Sequence, residues 1–228
     1  MKTSRPLYPL FSILIFLFFL NSCAKEDITK KKYIQSPIED GVQTGLASWY
    51  GADFDGRPTA SGVIYDMYGI SAAHKTLPLG TVVKAINLQN NKGLEVVIND
   101  RGPFVDHRII DFSYGAAKEL DMVEEGVVPI RIEVVGREPS FKRSVKGRAS
   151  GEGVYVIQVG SFLDASNADR LNTALSWKHK GVYVEEAKMS DVLFYRVRIK
   201  VGENHSIVQK KAEILAEEGY SVWITRVQ

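Results

Sequence analysis

The sequence predicts a mainly β chain in two units: a small closed barrel of six strands, then an α+β unit of order βαββαβ. Three observations predict it. Residues 45–136 carry short β-branched and aromatic runs split by Gly- and Pro-bearing turns, with little helical periodicity. Residues 137–153 then lose almost all aliphatic side chains. From Val154 onward the rhythm changes, and strands alternate with two amphipathic helical patterns. Closure into a barrel is expected for the first unit because it removes the exposed edges that so many short strands would leave.

In the first unit, Leu46 to Tyr50, Val63 to Tyr65, Thr81 to Asn87, Glu95 to Asn99, Arg108 to Asp111 and Pro129 to Val135 read as strands. Two short helices are expected, Ala72 to Lys75 and Ser113 to Leu120, the second with Ser113 as N-cap. In the second unit the strand Tyr155 to Val159 leads to a helix capped by Asp164, with Ala168, Leu171, Ala174 and Leu175 on one face. The strands Tyr183 to Ala187 and Phe194 to Val201 follow, then a helix Ser206 to Glu218 with Ile207, Ala212, Leu215 and Ala216 inward, then the strand Tyr220 to Thr225. This order implies an antiparallel sheet with both helices on one face and the other face open to a ligand.

Composition sets the outer bounds. The chain has 228 residues, 45% of them hydrophobic, and a formal net charge of +2, so cores are affordable and no global argument for nucleic acid follows. One cysteine, Cys23, excludes an internal disulfide framework and a Cys-based metal cluster. The four histidines, at 74, 107, 179 and 205, lack i, i+4 partners, and there is no Gly-rich phosphate loop. A cofactor-free, metal-free protein fits this pattern.

The N-terminus has a basic start at Lys2 and Arg5, an apolar run from Leu7 to Leu20 and then Asn21, Ser22 and Cys23. That run is short for a membrane span and has the proportions of a secretory signal over residues 1–22. Residues 23–44 mix both charge signs with little periodicity and read as a tether, and 137–153 read as a basic linker or solvated spacer.

The densest polar cluster lies between two apolar runs, Val96 to Ile98 and Ile109 to Phe112. Asp100 and Asp111 stand at or beside the ends of these runs, with Arg101, Asp106, His107 and Arg108 between them and Gly102 and Pro103 at the turn. Such a cluster is either the rim of an active site or a solvated hairpin end.

Five blocks of the first unit, Gly45 to Gly51 (GLASWYG), Gly56 to Gly62 (GRPTASG), Ala72 to Thr81 (AAHKTLPLGT), Ile98 to Phe104 (INDRGPF) and Ile110 to Ala117 (IDFSYGAA), resemble the double-psi β-barrel of the RlpA (rare lipoprotein A) family. Residues 154–228, with YVIQVGSF from Tyr155 and YRVRI from Tyr195, resemble a SPOR domain, and the sequence ending at Cys23 resembles a bacterial lipobox. The resemblance implies a lipoprotein acylated (palmitate) at Cys23, anchored to the outer membrane, facing the periplasm and enriched at the division septum. It implies a lytic transglycosylase that cuts the MurNAc to GlcNAc β-1,4 bond of denuded peptidoglycan and leaves 1,6-anhydro ends, in company with divisome proteins and without nucleic acid. The different reading is a non-catalytic, glycan-binding lipoprotein, because the barrel also resembles that of wall-loosening expansins, and fold alone does not decide catalysis.

By the same resemblance Asp100 matches the family's essential acid and base, and His74 the family's His, which would hold Asp100 or bond a sugar hydroxyl. Asp111 is either a second site carboxylate or a helix-start carboxylate. Asp66 follows GVIY where many relatives have Glu in place of Val63. Trp49 and Tyr50 would stack on sugar faces or pack in the core. Arg101 is a candidate substrate contact, and beside Asp100 it would hold that carboxyl's pKa down unless its side chain points outward. Gln158, Ser161, Phe162, Arg196 and Arg198 carry over as glycan contacts of the second unit, where amide, hydroxyl and guanidinium groups suit sugar hydroxyls and the lactyl carboxylate.

Overall fold

The computed structural model describes residues 36–227. The signal segment 1–22, Cys23 and the tether up to residue 35 lie outside the described residues. What remains of the tether is not a free spacer, because the first strand starts before residue 45. β1 is Val42–Tyr50, and the backbone of Ser36 already bonds to that of Thr44 at 3.0 Å.

Six strands close a barrel: β1, β2 (Ser71–His74), β3 (Thr81–Asn87), β4 (Gly93–Asp100), β5 (Arg108–Ser113) and β6 (Val128–Arg137), in the order β1-β5-β2-β4-β3-β6. The β1/β5 and β2/β4 pairs are parallel and the others antiparallel. The strand count agrees with expectation, but two assignments exchange places. Val63 to Tyr65 forms only an isolated bridge, Pro58 to Ile64, whereas Ala72 to His74, the first three of the four residues expected as a helix, fall in β2. Alanine favours helices in isolation, yet all four residues of β2 are buried between two neighbouring strands, and tertiary pairing overrides that preference.

A short helix α1 (Tyr114–Glu119) follows β5, with the Ser113 hydroxyl accepting from the Ala116 N–H at 3.2 Å. Ala116, Ala117, Leu120 and Met122 close one side of a barrel core that holds Ile98, Phe112, Ile130 and Ile132. Gly115 is required where it stands, since a Cβ there would run into the Tyr68 carbonyl.

Residues 137–153 are not a solvated spacer. Pro139–Phe141 form a 3-10 turn, and β7 (Val145–Lys146) adds a parallel edge strand to β11 (Val222–Arg226). The second sheet therefore has five strands, in the order β7-β11-β8-β10-β9, with β8 at Tyr155–Phe162, β9 at Val182–Met189 and β10 at Val192–Gly202. Helices α2 (Ala165–Ser176) and α3 (His205–Glu217) share one core with its inward residues. The α2 face Ala168, Leu171, Ala174 and Leu175 is buried as expected; in α3 Val208 is inward, while Ile207 is 58% exposed. The buried face runs Val208, Ala212, Leu215 and Ala216, spaced by four, three and one, and Ile207 falls beside it.

The two cores touch. Leu79, from the barrel, is fully buried in the second core, and its N–H donates to the Glu218 carbonyl at 2.9 Å. Removing one leucine from water contributes about 2 kcal/mol, so this contact alone resists separation of the two units.

Candidate active site

β2 lies between β4 and β5, so Ala73 pairs with Asp100 on one side and Asp111 on the other. Paired residues share a sheet face, which places the two carboxylates in one row with a methyl group between them. Two strand spacings separate their Cα positions by about 10 Å. A larger side chain at Ala73 would fill this row; alanine leaves a cleft of about 220 Å³ whose walls include Tyr50, Phe54, Asp100, Phe104, Asp111 and Arg170.

The Asp100 carboxyl is anchored through a single oxygen. Oδ1 accepts the N–H groups of Ala60 and Arg101, each at 2.8 Å, and among the described residues Oδ2 accepts no hydrogen bond. Burial pushes its pKa up, against the two amides and the charges of Arg170 and Arg101, so the neutral acid is favoured more than in water. Asp111 is raised to about 6, again by burial, opposed by Arg108 and Lys75. The Arg108 guanidinium donates to its Oδ2 at 3.2 Å, and its Oδ1 is buried with no partner among the described residues. Asp111 lies in β5 ahead of the Ser113 cap, so the helix-start reading does not describe it.

The Tyr50 ring reaches this cleft and packs 4.4 Å from Tyr65. Burial, then the Asp100 charge, raises its hydroxyl pKa, keeping it a donor at any working pH. Trp49 instead packs on the barrel core and meets Tyr114 edge-on at 5.5 Å.

Three expectations about the site are corrected. His74 does not touch Asp100: next to Ala73 in the strand, it points to the opposite face. Its Nδ1 accepts the N–H groups of Thr76 and Leu77 at 3.1 and 3.0 Å, which leaves Nε2 to donate to Gln43 Oε1 at 2.9 Å. Burial, with help from Arg101, holds its pKa down to about 3, so the ring is neutral. Asp66 is exposed and accepts the Tyr68 N–H at 2.9 Å, serving as a turn residue outside the cleft. Arg101 borders the cleft but is only 6% exposed, and its guanidinium is committed to protein partners: it donates to the Tyr220 hydroxyl at 2.5 Å and to the Leu77 carbonyl at 2.9 Å. His74 therefore acts on Asp100 at one remove. It shapes the 74–77 turn, whose carbonyls hold the Arg101 side chain, and the Arg101 N–H holds Asp100.

In the second unit, cross-strand pairing puts Gln158 opposite Arg198 and Trp223, and Ser161 opposite Arg196. These five share the face away from the helices. Arg198 pairs with Glu185 there, and Arg196 meets the Met189 sulfur at 2.9 Å. Phe162 departs from the expected arrangement. A kink in register between Val197 and Arg198 shifts the end of β8, and Phe162 packs on the helical side, toward Leu171 and the barrel.

Two residues had escaped the sequence reading. Trp223, 54% exposed on the open face, was signalled by the alternation Val222, Trp223, Ile224. Arg170, on the polar side of α2, had no sequence signal; it stands in the barrel cleft with its guanidinium 5.1 Å from the Phe54 ring.

A family model described as lytic transglycolase matches residues 42–132, the six-stranded barrel. The chain is 37% identical over 182 residues to the endolytic peptidoglycan transglycosylase RlpA of Campylobacter jejuni, covering 72% of this chain and 66% of that one. It is 38% identical over 191 residues to the protein of that name from Helicobacter pylori strain J99, covering 75% and 60%. Against the Pseudomonas aeruginosa RlpA it is 52% identical over 104 residues, 46% of this chain and 30% of the other. The chain thus spans about two thirds or less of the length of these relatives. With a lytic transglycolase family model matched over residues 42–132 of the double-psi β-barrel and RlpA proteins from several genera aligned to the chain, the chain belongs to the RlpA family.

Proposed function

We propose that the protein is a lytic transglycosylase of peptidoglycan glycan strands, with Asp100 as acid and then base. The observation that carries this reading is the Asp100 carboxyl itself, fixed by two amides through Oδ1, raised in pKa by burial and open at Oδ2 to a cleft. Protonated Asp100 gives its proton to the glycosidic oxygen as the bond from C1 of MurNAc breaks. The sugar's own 6-hydroxyl attacks C1, and its proton passes to the Asp100 carboxylate. A 1,6-anhydro end and a free GlcNAc 4-hydroxyl result, and no water is consumed. Intramolecular attack removes the need to position a water, so one carboxyl suffices for proton transfer. Asp111, across Ala73, would steady the positive charge that develops at C1.

The finer reading extends to the cell. Residues 154–228 act as a SPOR domain whose open face, with Gln158, Ser161, Arg196 and Arg198, takes denuded glycan. Lipidation at Cys23 anchors the chain in the outer membrane near the septum and its divisome proteins. A second reading, a glycan clamp without catalysis, is favoured by Val63, 43% exposed where many relatives carry Glu.

Digestion of amidase-treated sacculi followed by mass spectrometry tests the proposal. Anhydro-ended glycans that disappear with Asp100→Asn are expected. Saturable binding without new ends in the wild-type chain would refute catalysis and leave the clamp.

A further inference from the structure

We propose that the second unit supplies the barrel cleft with its specificity-determining cation, Arg170, and that this side chain takes the carboxylate of an acidic sugar lying over Asp100. The inference rests on the glycan-cleaving reading above and deepens it by naming the substrate group that is read.

The cleft has three guanidinium groups at or near it, and two are already committed. Arg101 is engaged by Tyr220 and main-chain carbonyls, and Arg108 is paired with Asp111. Arg170 is the third. It is half-buried, donates to Asn167 Oδ1 at 2.5 Å and lies over the Phe54 ring, and among the described residues it forms no salt bridge. Asn167 is itself only 6% exposed, so the guanidinium is held from below by a buried amide and from the side by an aromatic face. A fixed planar cation in no salt bridge among the described residues, near enough to Asp100 for its charge to act there, is suited to bidentate capture of a carboxylate.

Position strengthens the case. Arg170 and Asp100 also line a cavity of about 10 Å³ with Phe162 and Asn167, and this cavity shares Pro58, Thr59, Ala60, Phe162 and Asn167 with a groove of about 560 Å³. The groove runs between barrel residues 56–62 and the turn from β8 into α2, with Arg57, Ser161, Asp164 and Ser221 among its lining residues. Arg170 stands beside Asp100 both in this cavity and in the cleft of about 220 Å³. A cleft that holds Asp100 beside a guanidinium in no salt bridge among the described residues suits a chain of neutral sugars interspersed with carboxylate-bearing ones, the composition of a glycan strand with free lactyl groups.

NMR titration of the full chain carrying Asp100→Asn tests this, reading the Ala60 and Ala73 amides so that cleft binding is separated from binding on the open sheet face. The probes are peptide-free GlcNAc–MurNAc oligomers and the same oligomers with the lactyl carboxylates reduced to alcohols. Loss of one charge-assisted bidentate contact should weaken the carboxylate-bearing probe about tenfold in Arg170→Gln, with the reduced probe unchanged and Arg170→Lys intermediate. Should Arg170→Gln melt early, the comparison is made with Arg170→Lys alone, which keeps the charge and loses the fork. The proposal is overturned if the two probes bind the parent protein equally, or if their difference survives Arg170→Gln. Anhydro ends formed by a wild-type chain that does not discriminate would sink this inference and spare the catalytic one. Discrimination through Arg170 without any cleavage would do the reverse.

Discussion

Replacing Tyr220 with Phe removes one oxygen from the junction between barrel and second unit, and its cost can be worked out. That oxygen accepts the Arg101 Nε–H at 2.5 Å in a setting where both residues are nearly inaccessible to water. The ring would remain 5.1 Å from the guanidinium, so packing and the cation–π contact are kept and only the hydrogen bond is lost. A hydrogen bond to a charged group is worth about 1.5–3 kcal/mol when its partner is left buried and unsatisfied. In a chain of this size each kcal/mol lowers the melting temperature by about 2–4 °C, so a drop near 6 °C is expected in calorimetry. The same change should reach the reaction, because the Arg101 side chain steadies the backbone whose N–H holds Asp100 Oδ1. Turnover on amidase-treated sacculi should fall several-fold with little change in KM. A melting temperature within about 1 °C of wild type would refute the claim that Arg101 ties the two units together.

Four further outcomes follow from the site and the core. Asp100→Asn keeps an Oδ1 acceptor for Ala60 and Arg101, so the protein should melt normally, while release of anhydro ends falls at least about a hundredfold, the usual contribution of a positioned acid and base. His74→Ala strips partners from two buried N–H groups and from Gln43, and should cost about 3 kcal/mol in urea unfolding. Because the His74 pKa is lowered when folded, its stabilising contribution is complete above about pH 6.5 and fades as pH falls toward 3, so this variant should show a flatter acid limb than wild type. Asp111 has the opposite sign: its pKa is raised to about 6, so its contribution is complete near pH 4 and is lost as pH rises through 6, and Asp111→Asn should abolish that loss in melts taken between these values. Gly115→Ala, which forces a methyl group into the Tyr68 carbonyl, should destabilise by about 1–3 kcal/mol, read as a lower urea midpoint at unchanged slope.

How far the site could be read in the sequence depended on whether its logic was local. Asp100 and Asp111 stood out because apolar runs led to them, and strand alternation fixes where such residues point. Ser113 and Asp164 announced their helices because capping is settled within three residues. β2 failed the same test: Ser71 to His74 is a strand only because β4 and β5 flank it, and nothing in four small residues records two distant neighbours. The spacer failed for a related reason, since Phe141 and β7 acquire partners in a sheet that begins after them.

The residues that sequence reading misplaced or missed gather at one junction. Arg101 looked like a substrate ligand because it follows Asp100, but it is spent on Tyr220, 119 residues later in the chain. Arg170 carried no signal in the sequence, but it stands at the cleft in no salt bridge among the described residues. These two arginines exchange the roles their neighbourhoods suggest, and the physical cause is the docking of α2 and the Tyr220 turn against the barrel. The active-site wall is then a property of both units together. A barrel cut away at residue 136 would keep Asp100, Asp111 and the amides of Ala60 and Arg101, but would lose Arg170 and leave the Arg101 Nε–H without its acceptor. If the cleft is shared in this way, such a fragment should cleave denuded glycan with a raised KM as well as a lowered kcat, and adding residues 137–228 as a separate chain should restore neither unless the two pieces bind. Full activity in the isolated barrel would show that the junction serves only to hold the two units in place.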